Sequence, residues 1–187
     1  MSHNGYIKLD TLIWKRPDAE APIRDKRVIT ISSPSEKLYQ LDFQVEMEML
    51  MDVSIQKTNH SLFSARIAED LTVKQGGVMM NSKGQMGEKE TFGSRAAWLG
   101  FYGQRKTGFE GIVIMQHPSS RWFPSPWFTR DYGFMSPTPM YWPEDGAQTF
   151  LKKGEVVRLK YRVLIFGGTP DEAGIQALYD AYAAEGE

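Results

Sequence analysis

Between Tyr39 and Ile55 the chain reads YQLDFQVEMEMLMDVSI, and this run limits the fold more than any other. Leu41, Phe43, Val45, Met47, Met49, Met51, Val53 and Ile55 fall on odd positions, whereas Asp42, Gln44, Glu46, Glu48, Asp52 and Ser54 fall on even ones. A period of two held this long gives a strand one apolar and one wet face. On a helix the same residues would scatter around the whole circumference. The wet face also argues for an antiparallel sheet, because a parallel sheet is buried on both sides. The run is longer than an ordinary strand, so a bulge or bend is expected within it.

The same pattern recurs. Residues 5–15 alternate loosely, and 27–32 is a short β-branched run. In 61–68, Phe63, Ala65 and Ile67 share one face and Arg66 projects from the other. Residues 94–102 and 109–116 read as a hairpin around Gly103–Gly108. In 155–166, Val157, Leu159, Tyr161, Val163 and Ile165 oppose Arg158, Lys160 and Arg162. Residues 16–26 and the glycine-punctuated 76–89 read as connections. Only the C-terminus reads as helix, over about 170–185. There Thr169 stands at the N-cap with Pro170 behind it and Glu172 three residues on, and Ile175, Leu178, Tyr179 and Tyr182 form a stripe. The expected fold is all-β: an antiparallel β-sandwich, one domain over 1–187, with one C-terminal α-helix.

Bulk properties remove several functions. A net charge of −1 without a basic block argues against nucleic acid as a partner. With no cysteine there are no disulfides and no thiolate metal sites. No apolar run is long enough to span a membrane, and the first twenty residues lack the pattern of a signal peptide. A divalent metal would need His60 and His117 to meet beside a carboxylate such as Glu69 or Glu88. Two unlinked histidines do not make that case, so no cofactor is expected.

The segment 117–143 holds six of the ten prolines and eight aromatic residues. Proline fixes φ and lacks an N–H, so this segment reads as mostly loop. Its rings either cap the sandwich or form a binding wall, with Arg121 and Arg130 beside them. Arg66 and Arg95 each interrupt an apolar strand and need a carboxylate or a ligand as partner. Nucleophile elbows, phosphate loops and HExxH are all lacking.

Several strings together resemble a known family. They are TNHSLFSARIAEDL, GGVMMNSKGQMGE, RAAWLGFYG, HPSSRWFPSPWFTRDYGFMSPTP and LKYRV. Over about residues 56–167 the chain resembles the soluble bacterial family labelled methane oxygenase PmoA, a domain of unknown function. The most specific part is His117-Pro118 with Arg121, followed by Trp127, Arg130, Tyr132 and Gly133. The family often carries Asn where Ser120 stands and His where Phe128 stands. It also commonly carries an N-terminal half with a His-rich motif, which by this resemblance is missing here. A methane-oxidising subunit would be membrane-embedded and bind copper, which fits neither the hydropathy nor three histidines. The resemblance implies instead a carbohydrate-linked protein, compatible with a periplasmic or secreted place and with a homo-oligomer.

The expected function is therefore to act on or bind a glycan, or another small polar ligand, in a cleft walled by 117–143. Arg66, Arg95, Arg121 and Arg130 would orient polar groups, and Trp127, Tyr132, Tyr141 and Trp142 would stack on sugar faces. In an enzymatic version, a hydrolase, lyase or epimerase, His117 with Glu69 or Glu88 would supply acid and base. The alternative is a non-catalytic module that binds glycan or protein. An enzyme needs His117 and a carboxylate in one pocket, whereas a module needs only an open aromatic surface.

Overall fold

The computed structural model describes residues 4–14, 18–55, 62–139 and 149–186. In chain order the strands are β1 (Asn4–Trp14), β2 (Ile23–Ser35), β3 (Leu38–Met49), β4 (Val53–Ile55), β5 (Ala65–Arg66), β6 (Val78–Asn81), β7 (Trp98–Arg105), β8 (Gly108–Gln116), β9 (Trp127–Arg130), β10 (Phe134–Pro137), β11 (Thr149–Leu151) and β12 (Val156–Gly167). A short helix, α1 (Gly87–Thr91), follows β6, and α2 (Ile175–Ala183) follows β12. Seven strands make one sheet in the order β1-β2-β3-β12-β8-β7-β6. A three-stranded sheet, β5-β10-β9, and a ribbon, β11-β4, complete the fold. All pairings are antiparallel. The molecule is an all-β antiparallel sandwich with a C-terminal helix, as the alternation predicts.

The odd face of the large sheet builds the main core. Met47 and Met49 of β3, Leu99 and Phe101 of β7, Ile114 of β8 and Leu159 and Tyr161 of β12 are buried there against Trp127, Met135 and Leu151 of the small sheets. Phe63 stacks on Tyr161 with ring centroids 4.4 Å apart. Each such side chain contributes roughly 1.5–3 kcal/mol when fully buried. On the even face Val113, Met115, Leu164 and Phe166 pack under Ile175, Tyr179 and Tyr182 of α2. Gly111 is required here, because a Cβ would stand 2.3 Å from the Phe166 ring.

The bend expected within 39–55 falls at Leu50–Asp52. There β3 leaves the large sheet, and the chain resumes as β4 in the ribbon with β11. Glu155 and Pro22 carbonyls accept the N–H groups of Met49 and Leu50, which fixes this corner.

Three local expectations change. The segment 117–143 is less loop than its prolines imply, since β9 and β10 form a hairpin inside it. Pro126 precedes β9 and Pro137 closes β10, so neither interrupts a strand interior. Strand β6 lies inside the supposed connection 76–89, while among the described residues of 61–68 only Ala65–Arg66 is strand. At the C-terminus the capping box does form: Thr169 N–H donates to Glu172 Oε2 at 2.8 Å, and Glu172 N–H donates to Thr169 Oγ1 at 3.2 Å. The first turn then ends at Gly174, whose φ of 65° is left-handed, and regular helix starts at Ile175.

Candidate functional site

The hairpin β9–β10 sends alternate residues in opposite directions. Trp127, Thr129 and Met135 are buried, while Phe128, Arg130 and Phe134 are partly open. Arg66 of β5, Phe134 of β10 and Arg130 of β9 stand in one register row across the small sheet. The Arg130 guanidinium lies 4.3 Å from the Phe128 ring centroid and 4.6 Å from that of Phe92. Arg66 lies 5.3 Å from the Tyr132 ring and 5.9 Å from that of Phe134. Phe128 makes edge contacts with both Phe92 and Phe134. The result is an open plate on which guanidinium groups alternate with rings. Tyr132 is 42% exposed and Phe92 38%, so the plate faces solvent.

One carboxylate anchors it. Glu88 on α1 accepts from Arg130 Nη1 at 2.9 Å with Oε1 and from the Asp131 backbone N–H at 3.0 Å with Oε2. Asp131 Oδ1 in turn accepts the Glu88 backbone N–H at 2.9 Å. Arg130 also donates to the Thr129 carbonyl. Arg130 is thus held by a carboxylate and a backbone carbonyl, both through Nη1, while its guanidinium plane lies near the Phe92 and Phe128 rings, and together these contacts fix the hairpin to α1. Arg66, by contrast, makes no ion pair among the described residues.

The other sequence-derived candidates lie apart from the plate's open surface. Trp127 is fully buried beneath it, its indole N–H donating to the Ala96 carbonyl at 2.8 Å, and offers no ring face to a ligand. Arg95 is exposed and donates to the Pro124 carbonyl at 3.0 Å. Arg121 pairs with Glu155 and lies 5.0 Å from the Trp122 ring. Glu155 is held below the usual carboxylate range, first by the Lys152 backbone N–H and then by Arg121. Glu69 is exposed on a short 3-10 turn, Glu69–Leu71. Tyr141, Trp142 and His60 lie outside the described residues.

His117 stands on the opposite side of the large sheet, against α2. Its Nδ1 receives the Ser119 backbone N–H at 3.1 Å, so Nδ1 is the acceptor nitrogen. Its Nε2 therefore carries the proton and donates to the Glu185 carbonyl at 3.1 Å. The ring meets Tyr182 edge-on, with centroids 4.9 Å apart. Burial lowers its pKa, and the Lys160 charge lowers it further. The carboxylates that share its small cavity of about 140 Å³ are Asp42 and Glu185, whereas Glu69 and Glu88 are not among its lining residues. Both are engaged by Arg162, at 2.6 Å to Asp42 Oδ1 and 2.9 Å to Glu185 Oε1.

The family described as of unknown function, DUF6807, matches residues 6–180. The chain belongs to this family. No curated protein and no solved structure matches it. The matched stretch takes in the plate, His117 and the strands of the large sheet.

Within this DUF6807 chain, the two positions flagged by the resemblance fall in different settings. Ser120 is buried, and its hydroxyl donates to the Lys160 carbonyl and accepts the Lys160 N–H at 2.7 Å. Phe128 is a ring of the plate. Sequence reasoning missed Phe92, Phe128 and Phe134 as plate residues, although the period-two pattern of 128, 130 and 134, 136 within the hairpin was readable once the strands were admitted. It also missed Asp42 and Arg162, opposite each other on β3 and β12. Among the described residues no group of three or more His, Asp or Glu gathers as a metal site. None of the helices is long and apolar enough to cross a membrane, among those described.

Proposed function

We propose that this protein binds a glycan on the plate formed by Arg66, Phe92, Phe128, Arg130, Tyr132 and Phe134, without breaking a bond in it. One observation carries the reading. Arg66, Phe134 and Arg130 share a row in which the outer arginine has rings beneath it and no carboxylate partner among the described residues. Guanidinium N–H groups donate to sugar hydroxyl or carboxylate oxygens, and the exposed ring faces accept the C–H faces of a pyranose. The plate is open, which suits a chain laid across it.

The catalytic version has less support. An acid–base pair needs an uncommitted carboxylate near a titratable partner. Glu88 is occupied by Arg130 and the Asp131 N–H, and His117 has both ring nitrogens engaged on the other face of the large sheet.

A glycan-array screen with and without added divalent metal, followed by calorimetry on the hits, tests this reading. Arg66→Ala and Tyr132→Ala should each weaken binding by roughly tenfold, the order of a lost stacked or charged contact. His117→Gln should leave affinity unchanged. Undiminished affinity in the Arg66/Tyr132 double variant would remove the plate as the site. Shortened products from a bound glycan would remove the non-catalytic part.

A further inference from the structure

Strands β2, β3 and β12 are in register across the even face of the large sheet, and their side chains form rungs. Arg24 and Glu48 pair at 2.8 Å. On the next rung Lys26 and Arg158 flank Glu46 at 3.8 and 3.1 Å. Two rungs further on, Arg162 holds Asp42 at 2.6 Å. Each of these three rungs sets a carboxylate of β3 against a cation of a neighbouring strand, the usual cross-strand complement. The rung between them breaks the rule: Val28, Gln44 and Lys160 stand in line there, with an amide where the carboxylate should be.

Lys160 is left as a cation without an acidic partner among the described residues. Among the described residues its ammonium donates to the Gly186 carbonyl alone, at 3.2 Å, so two of its three N–H groups have no partner there. Over this rung opens a groove of about 710 Å³, lined by Lys26, Gln44, Ser119, Arg158, Lys160 and Gly186 among others. That volume falls within the range of roughly 300–1,000 Å³ usual for small-ligand sites. Arg27 also borders it, but its guanidinium is bound to Asp25 at 2.6 Å. The remaining cations, Lys26, Arg158 and Lys160, face a single carboxylate, Glu46. The groove is positive in a chain whose net charge is −1.

We infer that this groove is a second ligand site, which takes an oxyanion, a carboxylate or sulfate group, at the Gln44–Lys160 rung; that the group is carried on a saccharide rests on the glycan reading above. Lys160 Nζ supplies the charge-assisted hydrogen bonds, and the Gln44 amide, having no charge, leaves the place of the missing carboxylate to the ligand. Lys26 and Arg158 add the surrounding field, and the rest of the groove holds the attached sugar. The site lies on the opposite side of the large sheet from the plate and does not depend on it. It also borders His117, since the adjoining cavity shares Gln44, Lys160 and Gly186 with the groove.

That adjacency supplies a reporter. Lys160 is one of the two influences that lower the His117 pKa, so an anion on Lys160 should raise it. The full chain is titrated with digalacturonate, with cellobiose as the neutral control and with inorganic sulfate, while the His117 imidazole and the Gln44 amide are followed by NMR. Digalacturonate should bind, cellobiose should not move these signals, and the His117 titration should shift upward. Lys160→Gln should weaken binding about tenfold or more, Lys160→Arg should retain it, and Arg66→Ala should leave it unchanged. Binding of sulfate at the same two residues would mean that the oxyanion alone suffices; binding of digalacturonate without sulfate would mean that the sugar is needed. Failure of both anions to move His117 and Gln44, or undiminished affinity in Lys160→Gln, overturns the inference. Loss of digalacturonate binding in Arg66→Ala but not in Lys160→Gln would place the acidic sugar on the plate instead.

Discussion

On the large sheet Arg162 is 8% exposed and reaches two carboxylates, Asp42 and Glu185, with the Tyr182 ring 4.2 Å from its guanidinium. On the small sheet Arg66 is exposed and lies over the rings of Tyr132 and Phe134, with no ion pair among the described residues. Arg130 stands between the two cases, on rings and on Glu88 together. A guanidinium whose donors are satisfied by protein carboxylates has been spent on the fold. One that rests on ring faces has its donors still directed outward, and ring contacts are worth only about 0.5–1 kcal/mol at exposed sites. The three arginines should therefore rank in one order for stability and in the reverse order for ligand binding.

The largest effect should come from Arg162→Ala. It leaves Asp42 and Glu185 facing each other without their cation, and about 3 kcal/mol of unfolding free energy should be lost in urea titration. A loss below about 1 kcal/mol would mean that solvent already screens the network, as for a surface pair. Next, Arg130→Lys should cost about 1 kcal/mol, because an ammonium on a shorter side chain does not reproduce the flat guanidinium contact with the Phe92 and Phe128 rings while also reaching Glu88. The sharper readout is faster limited proteolysis within 127–137, and an unaltered cleavage pattern would contradict the anchoring role given to Glu88.

A smaller effect should follow pH. The folded-state pKa of His117 is lowered from its ordinary 6.5, so between these two values the unfolded chain binds more protons than the folded one. Stability is then intact above pH 6.5 and is lost as pH falls from there to the folded-state pKa. The groups around the ring are Lys160 and Arg162 as cations, Asp42 and Glu185 as anions, and Tyr182. In His117→Gln that limb of the melting-temperature profile should flatten, and a persisting slope would assign it to carboxylates. The smallest stability effect should be that of Arg66→Ala, within about 0.5 kcal/mol of the parent, although it is the variant expected to lose glycan binding.

How much of this was legible in the sequence depended on distance along the chain. The odd stripe of β3 and that of β12 are local patterns, and each gives its strand directly, but on β12 Ile165 of the apolar stripe is exposed while Arg162 of the polar one is buried under α2. The capping box at Thr169 was equally readable, but the left-handed Gly174 that delays α2 carries no periodic signal. In 117–143 the density of proline outweighs a short alternation, because prolines at strand ends read in the sequence like prolines in a loop. The site depended on register, which no single strand reveals. Glu88 and Arg130, or Asp42 and Arg162, meet only after strands far apart in sequence are aligned. His117 is legible as a polar residue at a strand end, but its partners come from residues far along the chain, such as Glu185.

The position of β12 has a consequence for how the protein is made. It lies between β3 and β8, so within the large sheet the meander β1-β2-β3 and the meander β8-β7-β6 meet only through it. It also follows the other six strands of that sheet in the chain, so it leaves the ribosome after them. Until residues 156–167 emerge, each meander ends in a long strand with half of its backbone groups unpaired, and β3 and β8 are the two edges at which a nascent chain could join a neighbour. Protection from that fate during synthesis must come from outside the chain or from the speed with which its closing strand arrives.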